Sequence, residues 1–335
     1  MNTQVELGAT IPRAHVASSA GSYIRWLFSG AIATLAALGA LYGGIAQTEY
    51  LPPPPLSNNL CVDEKLAFLR DHPPQEPDFL VAGSSIAWRN IDSSVLARTM
   101  PGSRPVNGAF CGMQIHQASV AAEWLIEQWP SIDEVLMVTG PQDFISCPGS
   151  AIVFDLEDAS RFVFEREASW SFYLRYFDPV SFVRNAVLRA KKPNDQLTQA
   201  RATALTAYGD GPLKSRGGRL GFGHLPRLDQ RCFDALQSFA QKLSREKREL
   251  MVVATPLNPR WKAMYDTAGT GRNGFAQDIS EALAGTSAKY WNADEAGAVS
   301  FPEAFYDAIH MRWFSANKFT EQILREIHRR DTRQM

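Results

Sequence analysis

The stretch FLVAGSSIAWRNI, Phe79 to Ile91, runs apolar to Gly83 and then presents two hydroxyls, Ser84 and Ser85. A serine attacks a carbonyl only when a base takes its proton and donors hold the oxyanion. Without those partners, Gly-Ser-Ser is a common turn. A base stands late in the chain. FYDAIHMRW carries Asp307 and His310 three residues apart. In a loop or first helical turn, that spacing lets a carboxylate reach the imidazole and fix its tautomer. Two other histidines compete. His224 lies in a glycine-rich stretch with no acid to pair with, and His116 at a helix start reads as surface or a substrate contact. Asp143, in GPQDF, reads as a structural hydrogen-bonder.

These residues need elements to hold them. Short apolar runs at Phe79 to Ala82, Glu134 to Gly140 and Leu250 to Pro256 read as buried strands, with shorter ones in Arg104 to Phe110 and Ala288 to Glu295. Between them lie stretches of helical spacing: Leu66 and Leu69; Val120, Trp124 and Leu125; Phe233, Leu236, Ala240 and Leu243; and Phe319, Ile323 and Ile327 after about Ser315. Apolar strands alternating with amphipathic helices imply an α/β fold, a parallel sheet covered on both faces. Sites in such sheets lie at the carboxyl ends of strands, which singles out Ser84-Ser85, Asn107-Gly108, Gly140 to Asp143 and Thr255-Pro256. Residues 146–227 break the rhythm. They read as a helical insertion ending in a mobile loop at GGRLGFG, with aromatics such as Trp170, Phe172 and Tyr173 in its core.

The amino-terminal segment differs in kind. Trp26 to Ala46 is uncharged and about the ~20 residues a bilayer requires. Arg13 and Arg25 precede it and Glu49 follows, so residues 1–25 are expected in the cytoplasm and the remainder outside, with Trp26 and Tyr50 at the interfaces. A retained single-pass anchor is expected, with a cleavable signal peptide as the alternative. Residues 47–60, with four prolines in a row, read as an extended spacer, and the domain is expected to span 61–335. The net charge of −1 over 335 residues gives no electrostatic case for nucleic acid. The four cysteines show no metal-type spacing, and no phosphate-loop pattern occurs, so neither metal nor cofactor is expected.

At the strand ends the chain resembles the SGNH, or GDSL, hydrolase superfamily. Gly83-Ser84-Ser85 is similar to its first block, Gly-Asp-Ser, with Ser84 in place of the aspartate. NGAFCGM is similar to the second, GPQDF to the third (Gly-x-Asn-Asp, with Gln142 in place of the asparagine), and Asp307 to His310 to the last. The resemblance implies a flavodoxin-like, doubly wound sheet of five parallel strands with a helical insertion, preceded by one transmembrane helix. It also implies Ser85 as nucleophile, His310 as base, Asp307 as its orienter, and an oxyanion hole from the Ser85 and Gly112 N–H groups and the Gln142 amide. The layout resembles the membrane-anchored branch that modifies envelope polymers, such as the DltD-like D-alanylation and exopolysaccharide O-acetylation proteins.

That likeness implies a serine esterase or O-acyltransferase acting on acyl, chiefly acetyl, esters of polysaccharide. It would face the periplasm or exterior of a bacterial inner membrane, beside a membrane-bound O-acyltransferase. A non-catalytic assembly or binding protein on the same fold is the alternative. Cys111 precedes Gly112 and Cys147 follows the third block, so a Cys111–Cys147 bridge is expected, leaving Cys61 and Cys232 to pair or stay free. Four buried thiols are the other outcome.

Overall fold

The computed structural model describes residues 19–48, 51–57, 59–149, 153–190, 205–214 and 219–334. Arg13, Glu49, Tyr50 and the pair Gly217-Gly218 lie outside them. The chain divides into two compact units, 1–51 and 52–335.

The first unit is helix α1 (Ser19–Ala46). Its Gly21–Ala46 portion, 26 residues, is long and apolar enough to cross a membrane.

The second unit contains, in order, α2 (Leu60–Asp71), β1 (Phe79–Gly83), α3 (Ser85–Asn90), α4 (Ser93–Thr99), β2 (Pro105–Asn107), α5 (Ile115–Gln128) and β3 (Glu134–Thr139). There follow α6 (Leu156–Val163), α7 (Ser169–Arg175), α8 (Pro179–Ala190), α9 (Gln230–Arg245), β4 (Glu249–Ala254), α10 (Pro259–Tyr265), α11 (Thr270–Leu283), β5 (Lys289–Asn292) and α12 (Trp313–Gln334). The strands form one parallel sheet in the order β2-β1-β3-β4-β5. This is the doubly wound α/β architecture the apolar runs require.

Alternation along each strand divides the core in two. Leu80, Ala82, Val135, Met137 and Val252 face α5, α9 and α11. Val81, Leu136, Val138, Met251 and Val253 face α3, α4, α10 and α12. The first strand must end in glycine. Gly83 has φ +140°, and a Cβ there would stand 2.4 Å from the Val138 carbonyl oxygen and 2.7 Å from Ala87 Cβ. Only a bare backbone lets the chain turn from β1 directly into α3.

Three expectations are corrected. The proline run is not a free spacer: Pro52 to Leu56 are buried in the second unit, and the Tyr173 hydroxyl donates to the Pro52 carbonyl. Proline rings are apolar surface, and seating them against the domain removes that surface from water. Second, the insertion does supply α6, α7 and α8, but described residues after them, among 205–214 and 219–223, are hydrogen-bonded to the rest of the domain. Asp210 is buried and accepts from the Ser93, Asn107 and Thr206 side chains, while Lys65 Nζ donates to the Gly209 carbonyl at 2.6 Å. Farther on, the Leu220 and Gly223 carbonyls accept from Ala308 N–H and Trp261 Nε1.

Third, Cys111 and Cys147 do not pair. The bridges are Cys61–Cys111 and Cys147–Cys232, with Cα separations of 6.3 and 5.2 Å. Sheet order supplies the reason. Cys111 follows β2 and Cys147 follows β3, and β1 runs between those strands. Two strand spacings are about 9–10 Å, beyond the ~7 Å a disulfide spans. Each loop instead meets the helix on its own side: Cys111 the start of α2, and Cys147 the start of α9, where its N–H donates to Asp229.

The insertion aromatics split. Phe172 is buried, whereas Trp170 is 60% and Phe177 58% exposed.

Candidate active site

Ser85 is the first residue of α3. Ser84 caps that helix, its hydroxyl accepting from Ile86 N–H at 3.1 Å. Ser85 is half-buried at the carboxyl end of β1, where an open α/β sheet places its ligands. The structure brings Ser85, His310 and Asp307 together. His310 Nε2 lies 2.9 Å from Ser85 Oγ, and His310 Nδ1 lies 2.7 Å from Asp307 Oδ2. Asp307 Oδ1 accepts from the N–H groups of Ile309 and His310 at 2.9 and 2.8 Å. The carboxylate therefore closes its own loop and orients the ring with its second oxygen. Asp307 and His310 are both buried.

Sequence reasoning missed the residues that hold this loop. Asn90, at the end of α3, donates to the Ile309 carbonyl at 2.9 Å and accepts from Met311 N–H at 2.7 Å. The helix that carries Ser85 thus grips the backbone on both sides of His310. Asn258, after β4, donates from its side chain to the Asp307 carbonyl at 2.8 Å, and its own N–H donates to the Ala308 carbonyl at 2.9 Å. Arg89 is buried, stacked on Trp88 and bonded to the Gly211 carbonyl. Burial pulls its pKa down to about 10, opposed by the nearby charges of Asp307 and Tyr306. It therefore stays a buried cation near Asp307. No motif marks Asn90, Asn258 or Arg89, because an isolated Asn or Arg carries no spacing signal.

The expected oxyanion residues stand on either side of β1. Phe110 N–H donates to the Gly83 carbonyl, and Gly112 follows two residues later, exposed and with φ +73°. On the other side Gly83 pairs with Val138, which sets Gly140 level with Ser85. Gln142 lies in the 3-10 turn Pro141–Phe144. It is buried, and its side-chain oxygen has no hydrogen-bond partner. No hydrogen bond joins Gly112 or Gln142 to Ser85 or His310 among the described residues.

Asp143 fastens the turn. It accepts from the Thr139 hydroxyl at 2.8 Å and Gly140 N–H at 3.2 Å, and also interacts with the Ser84 hydroxyl. Burial raises its pKa to about 6 against these hydrogen bonds. Ser84 therefore links the end of β1 to the turn that follows β3.

The competing histidines fall elsewhere. His224 is exposed and meets Tyr265 edge to face. His116 has both ring nitrogens buried without partners, and burial lowers its pKa. Neither is hydrogen-bonded to Ser85. Among the described residues no cluster of His, Cys, Asp or Glu is arranged to hold a metal.

A cleft of about 330 Å³ opens beside the Asp307 loop, with Asn258, Arg260, Tyr306 and Arg312 in its walls.

No protein-family model matches the chain, and no curated protein matches it. Among solved structures it is similar to Est24, a carbohydrate acetylesterase from Sinorhizobium meliloti, at 10% identity and a TM-score of 0.40, covering 75% of this chain and 98% of the other. It is similar to a putative arylesterase from Agrobacterium tumefaciens str. C58 with the same values. An inhibitor-bound aryl esterase of M. smegmatis aligns at 11% identity and a TM-score of 0.36, over the same shares of the two chains.

Proposed function

We propose that this chain is a serine esterase or O-acyltransferase of the SGNH type, acting on acyl esters of envelope sugars. One observation carries the reading: the continuous relay from Asp307 through His310 to Ser85 Oγ, at 2.7 and 2.9 Å. Such distances are those of a base in hydrogen-bond reach of its nucleophile.

In the first step His310 Nε2 takes the Ser85 proton as Oγ bonds to the ester carbonyl carbon. Asp307 holds Nδ1–H and stabilises the imidazolium. The oxyanion meets the Ser85 and Gly112 N–H groups and the Gln142 amide. On collapse the C–O bond to the sugar breaks, and that oxygen takes the proton from His310. The acyl-Ser85 ester is then attacked by water (esterase) or by a second sugar hydroxyl (transferase). His310 again removes the proton and returns it to Ser85.

The uncharged run Trp26–Ala46 of the helix Gly21–Ala46, with Arg13 and Arg25 ahead of that run, supports a single-pass anchor in a bacterial cytoplasmic membrane. Both disulfides support an oxidising compartment on the outer side. A membrane-bound O-acyltransferase would be a natural acyl source there.

The test is a fluorophosphonate probe and p-nitrophenyl acetate applied to the full chain in lipid nanodiscs. Labelling that maps to Ser85, with turnover lost in S85A, is the expected result. Absence of both labelling and turnover in the wild type would favour the non-catalytic assembly protein.

A further inference from the structure

We infer that the cleft beside the Asp307 loop is an anion subsite, which takes the carboxylate or phosphate of an acidic sugar polymer. The inference rests on the acyl-transfer reading above and adds the class of polymer.

The cleft, about 330 Å³, is lined by Arg219, Arg260 and Arg312 from three separate segments of the chain. Among the described residues none of the three forms an ion pair with a carboxylate. Arg312 donates from Nη1 to the Glu303 carbonyl at 3.3 Å and stacks on Phe314, while its buried Nε has no hydrogen-bond partner. A buried donor left unsatisfied costs free energy, so the Arg312 guanidinium is not fully partnered within the protein. Two carboxylates line the same walls, and one is committed: Asp307 is bound to His310 and two N–H groups. Glu303 alone remains to balance three guanidinium groups. The whole chain carries a net charge of −1, so this local excess of positive charge runs against the composition.

Other arginines of the domain are ion-paired, among them Arg175 with Asp158, Arg231 with Asp229, and Arg272 with Asp266 and Asp294. Three guanidinium groups converging without such partners repel one another until an anion enters. The planar fork of arginine matches carboxylate and phosphate oxygens in pairs.

Position connects the cleft to the chemistry. Asp307 and Asn258 belong to its wall and also to the loop that holds His310. A polymer seated on Ser85 would lay a neighbouring unit toward these arginines. The acidic group therefore selects which chain is presented, and the ester is cleaved or formed one or more units away.

The experiment measures binding apart from catalysis. Calorimetry on the full chain in nanodiscs would use unacetylated oligogalacturonide, a glycerol-phosphate oligomer and neutral oligoxylose as probes. Binding of either anionic oligomer, weakening as salt rises and absent for oligoxylose, is expected, and the stronger ligand identifies carboxylate or phosphate as the preferred group. Arg260→Gln and Arg312→Gln should each weaken that binding about tenfold, the worth of a charge-assisted hydrogen bond. Arg260→Lys, which keeps the charge without the fork, should recover part of it. Equal affinity for neutral and acidic oligomers, or no change in both glutamine variants, overturns the subsite. Failure of wild-type p-nitrophenyl acetate turnover with intact anion binding would remove the esterase reading and leave the subsite standing.

Discussion

Around Ser85 two half-sites are built differently. On the His310 side, Asn90 bonds the backbone before and after the imidazole, Asn258 holds the Asp307 and Ala308 carbonyls, and Asp307 closes its own loop. On the Gly112 and Gln142 side, Asp143 secures the turn, but Gln142 keeps an unpartnered buried oxygen and Gly112 lies exposed. On the proposed reading His310 is the base, and a base must be aligned before substrate arrives, which fits this completed network. On the same reading the oxyanion donors are the Ser85 and Gly112 N–H groups and the Gln142 amide N–H, which need their acceptor only during the reaction; the unpartnered Gln142 oxygen is an acceptor and takes no part in that. Mutations that separate the two halves test this contrast.

The largest effect is expected from Ser85→Ala, about 10³-fold or more in turnover of p-nitrophenyl acetate with the fold retained. An unaffected variant would remove the nucleophile from both halves at once. Next comes Gln142→Ala. If the amide is an oxyanion donor, kcat falls about 10²- to 10³-fold with little change in KM. An unchanged kcat would leave that half to backbone N–H groups alone. Asn90→Ala sharpens the other half. It strands the Met311 N–H and Ile309 carbonyl, costing about 1–3 kcal/mol in stability by denaturant melts, together with a loss of kcat. Stability lost without kcat would show that His310 keeps its place unaided.

Asp143 gives the pH test. Its folded pKa is raised to about 6 from 3.8, so the folded state binds the proton more tightly than the unfolded chain does. Its contribution to stability is greatest at low pH and is lost as pH rises from about 4 to about 6. Asp143→Asn should flatten that slope in thermal melts. The smallest effect is expected from Ser84→Ala, about 1 kcal/mol for a lost helix cap, and far less turnover lost than at Ser85. Equal losses at the two serines would erase the distinction between cap and nucleophile.

The sheet was legible because buried parallel strands read as unbroken apolar runs, and all five appear where Phe79, Arg104, Glu134, Leu250 and Ala288 begin them, within two residues. The Ser85, Asp307 and His310 set was legible because two of its members share one short loop. Helices α3, α4, α10 and α11 were not, since α3, α4 and α10 are too short for a periodicity to register and α11 carries few apolar residues. Asn90 and Asn258 act through backbone groups that any residue supplies, so no pairing shows in the sequence. The cysteine pairing depended on which strand lies between two others, a fact of topology rather than of spacing. Buried Pro52 to Leu56 misled for a different reason: composition gives the local stiffness of a segment and not the surface it meets.

The second disulfide has a consequence for proteolysis. Ser85 and His310 lie on opposite sides of the stretch between Cys147 and Cys232, which contains the whole helical insertion. A protease that cuts anywhere between those cysteines leaves one covalent molecule, with the nucleophile on one fragment and the base on the other. Such a nicked chain would migrate as two pieces only after reduction. Severing the insertion need not separate the two pieces of the site.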